Sequence, residues 1–221
     1  MARPCSIPGC TGHTTQWGSY CPTHAAQARR HGHPEQRAVT KAELRPFERR
    51  AVRRVELNAC NALWSGVEAN WQTLVGHAKG ILAEARAGRA GSRHERIAAE
   101  EVMKLAEHID GRAFLITGLA MHLMLEDDPR RFWSDDAFRF QLVRRVRGLT
   151  EVNAGVWADH ATGRRKLVYR ELPPKAAAIL AQWFAKALAG VGVLVARLER
   201  KQREEKQRLA ESMAEGARAL I

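Results

Sequence analysis

Three cysteines and one histidine near the start of the chain have the types and the spacing of a metal site. Cys5 and Cys10 are separated by four residues, and Cys21 and His24 by two, in the pattern C-x4-C-x10-C-x2-H. Paired ligands from two short turns are typical of structural zinc sites, and thiolates with one imidazole favour zinc over calcium or magnesium. Because protein groups fill all four positions, the sequence predicts a structural Zn²⁺.

Two alternatives remain open at this point. His13, His31 or His33 could replace His24 as the fourth ligand, although each breaks the paired-turn geometry. The cysteines could also be free thiols with accidental spacing. Residues 1–40 contain very few large apolar residues, and a segment with so little hydrophobic core needs another source of stability, such as a bound metal ion. We therefore predict a zinc-binding module over residues 1–40.

The run CSIPGCTGHTTQWGSYCPTHAAQARRHGHPEQ resembles a small zinc module that is common in phage and mobile-element proteins. The matching positions share the second ligand pair and the basic helix after it, and they are Gly18, Cys21, His24, Arg29, Arg30, His31, Gly32 and Pro34. His33 stands where that family more usually has Asp. The resemblance covers about residues 4–37 and implies a nucleic-acid-contacting role, because the module often precedes HNH-type endonucleases or DNA-binding regions.

The rest of the chain does not supply the nuclease chemistry that this resemblance suggests. An HNH site needs a histidine general base with clustered Asn and His ligands shortly after the zinc module. The later histidines are isolated from one another along the chain: His77, His94, His108, His122 and His160. The i, i+4 pair His122 and Glu126 lies in a predicted core helix, and Cys60 is interpreted as a small apolar residue. We expect no enzymatic activity.

The net charge of the chain is +12, from 36 Lys and Arg against 24 Asp and Glu. Such an excess favours a polyanionic partner, although a GC-rich genome would also enrich arginine without functional meaning. The candidate nucleic-acid contacts form two groups, one behind the metal module and one around a predicted hairpin: Arg29, Arg30, Arg45, Arg49, Arg50 and Arg53, then Arg139, Arg144, Arg145, Arg164, Arg165 and Lys166. A basic helix followed by a basic-tipped hairpin is also the arrangement of a winged helix.

The elements that must position these residues are mostly helices. Thr40 and Glu43 form a capping box, Pro46 allows a fresh helix start, and apolar steps of three and four predict one long helix over 46–86, with a kink possible at its glycines. A β-hairpin is expected at about 152–170 and a final, increasingly charged helix at about 175–220. We predict a mainly α fold: a helical bundle over 41–221 with long antiparallel helices and one small hairpin, preceded by the zinc module.

Location and partner follow from these patterns as expectations. No apolar leader precedes the first cysteines, and Gln182 and Lys186 interrupt the apolar stretch 176–198, which favours a buried helix over a membrane span. We expect a non-enzymatic protein of phage or mobile-element type in the bacterial cytoplasm, away from membranes, that binds nucleic acid, most simply duplex DNA, as a regulator. The alternative is a protein-interaction factor, such as an inhibitor of a host defence complex, with an acidic or nucleoprotein partner. The sequence is also compatible with a homodimer.

Overall fold

The computed structural model describes residues 3–15, 17–159 and 161–218. The mainly α fold predicted from the sequence is confirmed. The helices are α1 (Pro22–His31), α2 (Lys41–Leu57), α3 (Ala62–Arg86), α4 (Arg93–Ala106), α5 (Gly111–Asp127), α6 (Asp135–Arg147), α7 (Pro174–Leu188) and α8 (Val191–Arg218), with a 3-10 turn at Pro129–Arg131. Strands β1 (Ala154–Ala158) and β2 (Arg165–Tyr169) pair antiparallel, with Ala154 opposite Tyr169 and Ala158 opposite Arg165.

Helix α5 forms the centre of the core. Its sequence is apolar almost throughout, so it is buried on every side and packs against α2, α3, α6 and α8. The Phe114 ring lies 4.8 Å from Trp71 of α3 and 5.3 Å from Phe184 of α7, measured between ring centroids. At Gly118 a Cβ atom would come within 2.5 Å of Leu188, so the glycine is what allows α7 to approach this closely.

The prediction of a single long helix over 46–86 is wrong, because the structure has two helices there. The capping box determines the start, because the Thr40 hydroxyl accepts from the Glu43 N–H and the Glu43 carboxylate accepts from the Thr40 N–H. Pro46 therefore lies inside α2 instead of starting it. Asn58 ends α2, and Asn61 caps α3 by accepting from the Leu63 N–H at 2.9 Å. The chain breaks between these asparagines, and α3 continues through all three of its glycines.

The predicted final helix is also two helices. Ala189 and Gly190 both have left-handed φ values, of 48° and 73°, and α7 and α8 meet there at 61°. No single helix within the described residues is long and apolar enough to cross a membrane, although the bent pair α7 and α8 meets that length and composition together. Beyond residue 200 every described side chain of α8 up to residue 215 is exposed. Residues 219–221, where the helix was expected to end, lie outside the described part.

Candidate metal centre and basic surface

Side-chain atoms of Cys5, Cys10, Cys21 and His24 converge at one point. All four donor atoms lie within 4.8 Å of one another. The His24 Nδ1 atom is 3.5 Å from the Cys5 Sγ and 3.4 Å from the Cys21 Sγ, and the sulfurs of Cys10 and Cys21 are 3.9 Å apart. Among the described residues this is the one group of three or more such side chains able to hold a metal ion.

Short backbone hydrogen bonds bring the ligands together. The Cys5 N–H donates to the Gly12 carbonyl at 3.0 Å, and the Cys10 N–H donates to the Ile7 carbonyl at 3.1 Å, which closes the turn between the first two cysteines. Gly9 takes a left-handed φ of 75° in this turn, a conformation that favours glycine. Cys21 is the N-cap of α1, so His24 projects from the first turn of that helix.

A second glycine allows the two ligand pairs to meet. A Cβ atom at Gly12 would lie 2.9 Å from the Cys21 Cβ and 3.2 Å from its Sγ. The Gly12 N–H also donates to the Cys10 sulfur at 3.4 Å, and the Cys21 N–H donates to the Cys5 sulfur at the same distance. Such bonds stabilise the thiolate form of cysteine, which is the form that binds a metal.

The surroundings of Cys5 and Cys10 shift the pKa values of their thiols in opposite directions. Burial by itself raises the pKa of Cys5, but hydrogen bonds from the backbone at Cys21 and Ile7, together with His24, outweigh burial and lower that pKa to about 6. For Cys10 the Gly12 N–H lowers the pKa, while partial burial and the neighbouring thiols of Cys5 and Cys21 raise it above the usual value. The hydrogen bonds around Cys5 therefore favour its thiolate, the form of cysteine that binds a metal.

The other histidines weighed as ligands lie elsewhere. His13 is exposed and pairs through its backbone with Pro4. The His31 ring accepts a hydrogen bond from Gln141, and the His33 ring stacks on Trp133 with centroids 5.1 Å apart. Of the alternatives left open by the sequence, the structure brings only His24 to the three sulfurs.

The metal module is docked on the helical body through buried amides. Gln36 is fully buried and donates to the carbonyls of Arg37 and Arg131, while its Oε1 atom accepts from the Trp133 N–H. Gly32, with a φ of 81°, ends α1 against the first turn of α6, where a Cβ atom would be 3.0 Å from the Asp136 carbonyl oxygen. The sequence gives no periodic signal for these contacts, so the docking roles of Gln36 and Gly32 were not predicted.

The first group of basic candidates divides by environment. Arg45, Arg49 and Arg53 are exposed and spaced i, i+4, i+8 along α2. Arg50 lies instead between two carboxylates, at 2.5 Å from Asp127 and 2.8 Å from Glu199. On α1, Arg29 is exposed, and Arg30 pairs with Glu171 at 2.6 Å.

The second group of basic candidates divides in the same way. Arg164 and Arg165 are exposed at the end of the hairpin, and Arg139 is exposed and pairs with Asp136 at 3.1 Å. Arg145 is buried, and Arg144 is half-buried. The side chain of Lys166 lies outside the described residues.

Helix α6 does not have the exposed face of a recognition helix. Eight of its thirteen residues are buried, Gln141 and Arg145 among them. The helix packs against α1, α5 and α7. A helix enclosed in this way cannot enter the major groove, so the winged-helix arrangement does not fit this fold.

Residues that the sequence assigned to the core are mostly, but not all, found there. The His122 Nδ1–H donates to the Gly118 carbonyl, 2.8 Å away, and the ring packs edge-on against Phe138, as expected of a core histidine. Burial lowers the pKa of His122. Cys60, in contrast, is exposed, because the break after α2 places it in a connecting turn. Trp17, which lies between the two ligand pairs in sequence, is 92% exposed.

Comparison with protein-family models, with curated proteins and with solved structures finds no match. The proposed function therefore depends on the residues of this chain and on the resemblance of about residues 4–37.

Proposed function

We propose that this chain is a non-enzymatic protein whose N-terminal module is stabilised by zinc, and that it binds duplex DNA through an exposed basic face of α2. The zinc part depends on the donor set. In a tetrahedral site with Zn–S near 2.3 Å and Zn–N near 2.0–2.1 Å, sulfurs lie about 3.8 Å apart and sulfur and nitrogen about 3.6 Å apart. The distances of 3.9, 3.5 and 3.4 Å between donors agree with that geometry.

The observation that carries DNA binding is the arrangement of Lys41, Arg45, Arg49 and Arg53. These four residues, here called the α2 stripe, are exposed, recur every four residues and form no ion pair with a described residue. Twelve residues of helix at about 1.5 Å each give a stripe of about 18 Å. Lys41 was missed in the sequence, although it continues the same spacing by one step.

Of the three acidic residues of α2, Glu43 is engaged elsewhere, whereas Glu48 lies within the stripe, three residues after Arg45, and partly offsets its charge. Glu43 accepts from the Thr40 N–H and pairs with Arg131 at 3.1 Å. The exposed Glu56 follows the stripe at the far end of the helix. A row of unpaired cations behind a docked metal module is suited to successive phosphates, which contribute sequence-independent affinity.

The test is a salt titration of binding to a labelled duplex. Neutralising four phosphates predicts a slope of about −3.6 for log affinity against log salt concentration. Reversing Arg45, Arg49 and Arg53 to Glu should remove about 2.7 of that slope. The matched control reverses Arg86, Arg93 and Arg96, which are equally exposed and change the net charge by the same amount. Equal effects of the two triple variants, or no binding at about 50 mM salt, would contradict the proposal.

A second candidate function, docking to a protein partner, is favoured by one observation. Residues 201–215 of α8 are all exposed, and they include Leu209 at 63% and Met213 at 68% exposure. Isolated apolar side chains of this size on a projecting helix suit a protein groove better than a phosphate backbone. This alternative predicts negligible duplex binding and a partner that stays bound in high-salt pull-down until Leu209 and Met213 are changed to Ser.

A further inference from the structure

A basic cavity lies where the first turn of α2 meets the end of α6 and the segment before β1. Its volume is about 270 Å³, and its lining includes Lys41, Arg144, Arg145, Arg147 and Asn153. No acidic side chain belongs to that lining. Four cationic side chains around one small cavity repel one another unless an anion compensates them.

Two of the four cations have partners within the protein: Arg145 is already engaged, and Arg147 forms a buried ion pair. The Arg147 Nε atom donates to the buried Glu101 carboxylate at 2.5 Å, and Arg147 also donates to the Arg170 carbonyl at 2.7 Å. Asn153 donates to the same carboxylate. Glu101 is 3% exposed and its carboxylate accepts from Arg147 and Asn153, which leaves Lys41 and Arg144 as the cations of the cavity to be compensated.

Arg144 shows the remaining imbalance most directly. Its guanidinium forms no hydrogen bond or ion pair with a described residue. Burial lowers the pKa of Arg144, the Glu171 carboxylate opposes this, and the positive charges of Arg147, Arg30 and Arg145 lower it further. Glu171 is itself paired with Arg30 at 2.6 Å. A half-buried guanidinium with free donors beside like charges is a ready partner for an anion.

We infer that this cavity binds a phosphate group. Guanidinium donors recognise tetrahedral oxyanions in a bidentate manner, and a lysine adds a mobile point charge. The volume is at the lower end of small-molecule sites, about 300 Å³, which suits a phosphate or diphosphate better than a whole nucleotide. Lys41 belongs both to the cavity and to the α2 stripe, so a DNA strand along the stripe would place one backbone phosphate here. That source depends on the proposed function, whereas a free phosphate compound would not.

The experiment measures thermal unfolding of the whole protein with pyrophosphate against chloride at matched ionic strength, and duplex affinity in parallel. The variants are Arg144→Gln and Lys41→Gln, and the matched control is Arg139→Gln, on the same helix but outside the cavity. Losing a charged hydrogen-bond donor predicts affinity lower by about 10-fold or more for the first two variants and unchanged for the control. Without ligand, Arg144→Gln should unfold no earlier than the wild-type protein, because it relieves charge crowding.

The outcomes distinguish phosphate binding in the cavity from DNA binding by the α2 stripe. Pyrophosphate binding that depends on Arg144, without duplex binding, supports the cavity with a free phosphate compound as its ligand. Duplex binding that depends on Arg144 supports a backbone phosphate. If neither probe responds to Arg144→Gln or Lys41→Gln, the inference is overturned, even where the stripe itself still binds DNA. Should Arg144→Gln fail to fold, the pyrophosphate response of Lys41→Gln decides the question, because its duplex affinity also depends on the stripe.

Discussion

The Gln141 amide donates from Nε2 to the His31 Nδ1 atom at 3.1 Å, which joins the metal module to the core of the helical body. Its Oε1 atom accepts from the Val39 N–H at 2.9 Å, so both ends of this fully buried side chain are used. A donor facing Nδ1 requires a neutral imidazole with its lone pair there. The charge state of His31 is therefore coupled to the docking of the module.

This coupling predicts a loss of stability in mild acid. Burial, followed by the charge of Arg144, lowers the pKa of His31 to about 4, whereas an unfolded histidine titrates near 6.5. Arg30 and Arg131 act in the same direction, and Glu171 opposes them. Because the folded pKa is depressed, the stabilisation is complete above about pH 6.5 and is lost as the pH falls towards 4.

The measurement is the melting temperature between pH 7 and pH 4.5 for the wild-type protein and for His31→Gln. Glutamine keeps a hydrogen-bond acceptor but does not titrate, so its curve should fall less steeply over this window. The difference between the two proteins removes the contribution of the metal ligands, which also protonate in acid. Parallel curves would show that His31 does not sense pH.

Gly12→Ala should damage the metal site by steric conflict alone. The new methyl group would meet the Cys21 Cβ at 2.9 Å, and overpacking of this kind costs about 1–3 kcal/mol. We therefore expect metal affinity, measured by competition with a chelator, to fall by about 10-fold. Gly91→Ala is the control, because nothing lies within 4 Å of a Cβ atom there. Unchanged affinity in Gly12→Ala would mean that the two turns are not in close contact.

Removing the metal should loosen residues 1–40 and leave the bundle folded, since small metal modules gain their folding free energy from the ion. Trp133 offers an optical signal, because its ring is stacked on His33 and its backbone N–H donates to the Gln36 Oε1 atom. A chelator should therefore change the fluorescence of the wild-type protein and change that of Trp133→Phe much less. Circular dichroism should keep most of its helical signal, and a cooperative loss of all helix would contradict this prediction.

Glu101→Gln should destabilise the protein strongly. It leaves the buried Arg147 guanidinium without its counter-charge, and breaking such a pair costs about 3–5 kcal/mol. Asp136→Asn, which breaks the exposed pair with Arg139, should cost less than about 1 kcal/mol. Urea unfolding of both variants gives the comparison. Similar midpoints would mean that the Arg147–Glu101 pair contributes no more than a surface pair.

Local signals determined what could be predicted from the sequence. The Thr40 capping box, the convergence of four ligands and the pairing of β1 with β2 each depend on residues close in the chain, and the structure contains all three. The positions at which helices break were harder to predict. The two asparagines at 58 and 61 act as caps only because both sides of the break pack on the core, whereas the apolar spacing runs through it unchanged.

Tertiary burial explains what the sequence could not predict about the basic residues. Charge and helical spacing group Arg49, Arg50 and Arg53 together, yet Arg50 faces carboxylates from α5 and α8, far away in the chain. Arg145 is counted as a surface charge until α6 is seen to pack on three neighbours. Partners distant in sequence leave no periodic trace in a single chain.

The projecting end of α8 has a hydrodynamic consequence. A helix of 28 residues is about 42 Å long, and about half of it extends without packed side chains. Such an extension increases frictional drag while adding little mass, so a monomer of 24.7 kDa should elute early from a size-exclusion column. Elution volume alone would then mimic a dimer. Light scattering, which reports mass independently of shape, is the method that distinguishes one copy from two.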